Sequence, residues 1–185
     1  MIYSTDGRER RAMTDSFSGF ETWYSDCHAR VLAVLTVVSG NADAASEATD
    51  EAFARALARW RRVRTMKSPT GWTYRVALNE LRRRIRRQEQ EVQLSLKASD
   101  ASKAEQDPLL WFQVLEAIRP LTARQRTVLA LCYIADLPQR EVASVLHVSR
   151  STVASTLADA KAAVLNRDSV PIDNCEDMEG SHDAN

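Results

Sequence analysis

The sequence predicts an all-α protein: two small helical domains joined by a flexible linker, with polar tails at both ends. Three observations carry this. Gly and Pro are scarce, five each in 185 residues, and aromatics are few, a profile that suits helices better than a sandwich or barrel. Apolar residues recur at helical spacing in two stretches, residues 17–88 and 109–167. Between them, residues 89–108 are rich in Gln, Ser, Lys, Glu and Asp and have no clean period, which is the composition of a linker.

Residues 1–16 are polar and read as a frayed tail. The first helix starts near Phe17 and runs through Trp23, Val31, Leu35 and Val38 to Ser39-Gly40-Asn41, a C-cap signal. Its apolar run, Ala29 to Val38, is much shorter than the ~20 residues of a membrane span, so it reads as a buried helix. No secretory signal is visible. A second helix covers Asp43 to Arg62, with Ala48, Ala52, Phe53, Ala56 and Trp60 on its apolar face. Val63 to Lys67 is a loop. Ser68-Pro69 is an N-cap followed by Pro at the first helical position, and opens a third helix that ends about Gln88.

The second domain begins with a helix carrying Leu110, Trp111, Val114, Leu115 and Ile118, ended by Pro120. Thr122-Ala123-Arg124-Gln125 has the form of a capping box and opens a helix with Val128, Leu129, Leu131, Cys132 and Ile134. Asp136-Leu137 is a turn, and Pro138 opens a short helix with Val142, Ala143, Val145 and Leu146. His147-Val148 turns the chain and Ser149 caps the last helix. Residues 168–185 hold six acids and no Lys or Arg, and read as disordered.

Net charge is zero, but the average hides an asymmetry. Arg55 to Arg87 carries twelve Lys/Arg against one Asp/Glu, whereas residues 1–54 carry four against nine. A solvated surface usually mixes its signs, so a dense block of one sign points to an anionic partner, nucleic acid first. Cys27, Cys132 and Cys175 lie far apart with no ligand spacing, and read as unlinked thiols in a reducing cytoplasm. No phosphate loop, HExxH, nucleophile elbow or carboxylate pair appears. No catalytic residue, metal site or cofactor is therefore expected, and the chain reads as a non-enzyme.

Two constellations remain. Projected at 100° per residue, the third helix gathers Tyr74, Ala77, Leu78, Leu81 and Ile85 on one side. Arg75, Asn79, Arg82, Arg83 and Arg86 form a stripe about a third of a turn away, with Trp72 beside it. Arginines neutralise phosphates and an indole can stack on an unpaired base; the alternative is a packed Trp72 with solvated arginines. Pro138 to Leu157 has the spacing of a helix-turn-helix, with small Ala143 where two helices must approach. Arg150, Ser151, Thr152 and Ser155 would enter the major groove, Arg reading guanine and the hydroxyls taking base or phosphate contacts. A purely structural helical hairpin has the same pattern. The last helix is short of charge, with Arg150 and Lys161 opposed by Asp159.

The order of parts resembles an extracytoplasmic-function (ECF) sigma factor of the sigma-70 family, over about Phe17 to Arg167. "ASEATDEAFARALARW", Ala45 to Trp60, is similar to the region 2 helix that docks on the polymerase clamp, with Glu47, Asp50, Glu51 and Phe53 at matching positions. "SPTGWTYRVALNELRRRIRR", Ser68 to Arg87, resembles the helix that melts and holds the minus-ten element, and Trp72, Tyr74, Arg75 and Asn79 match its pattern. Leu121 to Lys161 looks like region 4, the reader of the minus-thirty-five element, which LuxR-type response regulators also resemble. Ser46, Ala48, Thr73, His147, Ala154 and Thr156 depart from the family's usual residues.

The resemblance implies an alternative sigma factor. It would bind core RNA polymerase, select promoters and help melt the minus-ten element, with an anti-sigma factor as inhibitor. The loop with Arg64 and Lys67 would capture flipped bases, and the stripe would hold the backbone. Arg150, Ser151, Thr152, Ser155 and Lys161 would meet the minus-thirty-five element. Two other readings stay open: a stand-alone helix-turn-helix regulator, and a sigma-like interaction module that occupies polymerase or an anti-sigma factor without initiating. The acidic tail would be either a solubilising segment or one that competes with DNA for a basic face.

Overall fold

A computed structural model describes residue 17, residues 19–94 and residues 116–165. The expected tails, residues 95–108 of the expected linker and the start of the second domain's first helix, with Leu110, Trp111, Val114 and Leu115, lie outside the described residues. Among the described residues the chain is helical, with no strand.

Helix α1 spans Phe20–Ser39 and ends at Gly40, whose φ of +66° lets its N–H reach Thr36 O at 2.8 Å. Asn41 caps α2, Ala42–Ala58, its side chain accepting from Ala44 N at 3.0 Å. The expected helix to Arg62 is interrupted at Arg59 (φ −122°, ψ 21°). A short α3, Trp60–Val63, follows and buries both its end residues. Trp60 closes on Phe20 and Trp23, with ring centroids 5.3 and 5.0 Å away. The aromatic contacts fix where the chain must turn, and no breaker residue announces that turn.

Helix α4 spans Pro69–Leu94. Ser68 Oγ accepts from Gly71 N at 2.9 Å, so the cap stands as expected. The helix runs six residues past Gln88, because Gln and Glu between 88 and 94 are good helix formers and nothing there stops the helix. A polar stretch without an apolar period continued the helix instead of ending it.

In the second domain residues 116–118 are helical. Helix α5, Ala123–Tyr133, has both bonds of the Thr122–Gln125 capping box. Helix α6, Gln139–Leu146, ends at His147, whose φ is +54°. Helix α7, Arg150–Leu165, is capped by Ser149, which accepts from Thr152 N at 3.0 Å.

The core of the first domain joins Val31, Val34 and Leu35 of α1 to Ala45, Ala48 and Ala52 of α2 and to Tyr74, Ala77, Leu78 and Leu81 of α4. The alanines let three backbones approach closely, and Ala48 is fully buried among them. Thr73 is also buried, with its hydroxyl satisfied by Pro69 O at 3.0 Å. Val128, Leu131, Val142, Val145, Val153 and Leu157 form the core of the second domain. The two cores are continuous: α1 packs on α5, and α4 packs on α6.

Candidate nucleic-acid interface

The arginine stripe forms as a groove on α4. Asn79, Arg82, Arg83, Arg86, Arg87 and Gln90 line it, and all are exposed to solvent. Helical spacing puts them on one side because the other side of α4 carries the core residues Tyr74, Leu78 and Leu81. Four guanidiniums in one groove make a surface that attracts phosphates. Arg64 and Lys67 are exposed on the loop that leads into α4.

Other predicted residues stand elsewhere. Tyr74 is fully buried, and burial pushes its phenol pKa up, opposed by the charge of Arg30. In this conformation it offers no surface to DNA, and its hydroxyl has no hydrogen-bond partner among the described residues. The projection had already put Tyr74 on the apolar side, so its place follows periodicity and not the family pattern. Trp72 is half-buried. Arg75 turns away from the open groove and donates from Nη2 to Ser144 O of α6 at 2.7 Å.

On α2, Glu47, Asp50 and Glu51 are each paired. Glu47 pairs with Arg84, Asp50 lies 3.5 Å from His28, and Glu51 lies 2.7 Å from Arg55. The side chains of Glu47 and Asp50 stay 62% and 67% exposed, so both carboxylates remain open to a partner. Phe53 is buried, packed on Trp23 and Tyr24 with centroids 5.1 and 5.0 Å away. It builds the α1–α2 contact and leaves no docking surface of its own.

Glu80, the one acid of the basic block, is buried, and its carboxylate lies 3.2 Å from Arg83, 3.3 Å from Arg55 and 3.6 Å from Arg84. Sequence reasoning missed this hub and the roles of Arg55 and Arg84. An acid alone among twelve bases was the available signal. A second groove, lined by Phe17, Leu57, Arg59, Trp60, Arg61 and Arg62, was also not singled out.

On the second domain Arg150, Ser151 and Ser155 are exposed at the start of α7, and Thr152 is partly so. Ser149 ties this turn together, its Oγ lying 2.7 Å from both Ser151 Oγ and Thr152 Oγ1. Ala143 is buried where α6 approaches α7. Lys161 stands apart: eleven residues beyond Arg150, which is about 16 Å along a helix, its Nζ sits 5.4 Å from the Tyr133 ring centroid. The structure thus groups the first four predicted residues and separates the fifth.

Among the described residues, no group of three His, Cys, Asp or Glu converges as metal ligands would, and no helix is long and apolar enough to cross a membrane.

The family model described as Sigma-70 region 2 matches residues 23–91, and that described as Sigma-70, region 4 matches residues 111–164. No curated protein sequence matches the chain. Several solved structures are similar, two of which follow. One is the sigma factor RpoE in complex with the anti-sigma factor NepR from Bartonella quintana, with 18% identity and a TM-score of 0.70, covering 82% of this chain and 98% of that one. The other is CnrH in complex with the cytosolic domain of CnrY, with 18% identity and a TM-score of 0.60, covering 84% and 94%. At that identity they speak for the fold. The two family matches together span most of the chain, which belongs to the sigma-70 family.

Proposed function

We propose that the chain is an alternative sigma factor that binds core RNA polymerase, directs it to specific promoters and helps melt the minus-ten element. The observation that carries this reading is the pairing, in one chain, of an open guanidinium groove on α4 with a helix-turn-helix whose reading end is exposed. Asn79, Arg82, Arg83 and Arg86 hold the backbone of the melted strand, and Trp72, Arg64 and Lys67 meet its bases. Arg150, Ser151, Thr152 and Ser155 read the upstream duplex. Glu47, Asp50 and Glu51 dock on polymerase, exchanging their internal cations for those of the partner. The chemistry of transcription belongs to polymerase, and the sigma factor supplies recognition in the cytoplasm. The similar structure of RpoE holds the anti-sigma factor NepR, which supports such an inhibitor here.

Run-off transcription with core polymerase on a genomic library tests the reading. Discrete start sites should appear with the wild type and weaken with Trp72→Ala and with Arg150→Ala. Transcripts no more discrete than those of core enzyme alone would reject it.

A further inference from the structure

Glu80 sits where α4 packs on α2, and its buried carboxylate is shared. Oε2 lies 3.3 Å from Arg55 of α2. Oε1 lies 3.2 Å from Arg83 and 3.6 Å from Arg84. Two of these guanidiniums have a second acid: Arg55 reaches Glu51 at 2.7 Å, and Arg84 pairs with Glu47. Glu80 is the one acid paired with Arg83 among the described residues, and Arg83 also lines the groove of α4. Helical spacing gives Arg83 both neighbours. It lies about 60° round the helix from Glu80, and Arg86 lies about 120° round in the same sense.

Stability does not account for the Glu80–Arg83 contact. The Arg83 side chain is 54% exposed, and exposed ion pairs add little. Arg55 and Arg84 already offset the charge of the buried carboxylate. What the contact fixes is direction. A guanidinium carries its donors in a rigid fork, so holding Nη2 on Glu80 sets where the other donors point. We infer that Glu80 is a positioning residue for DNA binding, an acid that holds Arg83 by one nitrogen so that the rest of its fork meets a backbone phosphate already ordered. The inference rests on the promoter-binding reading of α4. It divides the groove arginines into two kinds. Arg83 is set in advance by a buried anchor. Arg82 and Arg86 reach the strand from solvent and lose rotamer freedom when they do.

The test is fluorescence anisotropy of the full chain with a random-sequence single-stranded DNA pool, read across a salt series, with circular dichroism to confirm folding. Glu80→Asp keeps the charge but draws the carboxylate back by one carbon–carbon bond, about 1.5 Å, and so away from Arg83. It should weaken binding about threefold without changing the salt slope. Arg83→Lys keeps the cation without the fork and should do the same. It alters only an exposed side chain, so it decides the matter even if a Glu80 variant unfolds. Glu80→Gln is read through double-mutant cycles. Arg83→Ala should weaken binding about fivefold in the wild type and less than about twofold beside Glu80→Gln. Arg82→Ala should cost the same in both backgrounds. Wild-type affinity in folded Glu80→Asp or in Arg83→Lys overturns the positioning role. So does an equal loss from Arg83→Ala in the two backgrounds, the result expected of a carboxylate that acts through its charge alone. If Arg82→Ala and Arg83→Ala both leave affinity unchanged, α4 is not the DNA face, and the promoter-binding reading falls together with the role of Glu80.

Discussion

The buried carboxylate of Glu80 on α4 holds the guanidinium of Arg55 on α2 at 3.3 Å. Arg55 also reaches Glu51 at 2.7 Å, and Arg84 joins Glu80 to Glu47. Glu47 and Glu51, two of the three acids assigned to polymerase, and the arginines beside the DNA groove therefore form one charge network, from which Asp50, paired with His28, stands apart. Removing one partner of a buried pair costs about 3–5 kcal/mol when the survivor stays buried. Here the arginines reach water, so Glu80→Ala should cost about 1–3 kcal/mol in urea denaturation. The loss should persist at 1 M salt, because the carboxylate is shielded from counterions.

Tyr74 ties the fold to alkaline pH. Burial raises its folded-state pKa above the unfolded value of about 10. The stability it contributes is fully present below that pH and falls as pH rises above it, because the unfolded phenol ionises first. Wild-type stability should decline from about pH 10 upward, and Tyr74→Phe should lack that part of the decline. At neutral pH Tyr74→Phe should change stability by less than about 1 kcal/mol, since the hydroxyl it removes is unpartnered. Tyr74→Ala should cost about 3–5 kcal/mol by opening a cavity. Thermal melts across pH check all three.

The groove of α4 should act through phosphates. Arg82→Ala and Arg86→Ala should each weaken binding to random single-stranded DNA and lower the slope of log affinity against log salt by about 1. Equal slopes for wild type and both variants would remove these arginines from the interface.

Position along α7 separates its two cations. Arg150→Ala should lower affinity for a promoter duplex found by run-off mapping, by about 1–3 kcal/mol, and relax the sequence at one base pair. Lys161→Ala, at the Tyr133 end, should leave the sequence preference unchanged. Binding-site selection with the two variants distinguishes them.

His147 holds a left-handed conformation at φ +54°. A residue with a Cβ costs about 1–2 kcal/mol there, part of which glycine returns through its freer unfolded chain. His147→Gly should stabilise the second domain by about 0.5–1 kcal/mol, measured by urea denaturation.

What was legible in the sequence was local. Asn41 capped α2 next to the predicted stop at Gly40, and Ser68, the Thr122–Gln125 box and Ser149 all cap where their side chains imply, because each motif acts within four residues. The groove of α4 was legible for the same reason, since periodicity fixes which residues share a face. Helix length at Leu94 was not, because the boundary was drawn from an absent apolar period where propensity ruled. The Arg59 break and the Glu141–Ser68 contact depend on partners far along the chain, and no local rule reaches across 73 residues. Family pattern and periodicity disagreed at Tyr74, and burial followed periodicity.

The continuous core between α1 and α5 gives domain separation a thermal signature. Parting the two domains wets apolar surface, which raises the heat capacity of the chain. Promoter engagement that requires parting should then show a heat-capacity change less negative than its contact area alone implies. Calorimetric titrations at several temperatures would read that deficit as the area of the seam, and the deficit would vanish for a chain already held apart.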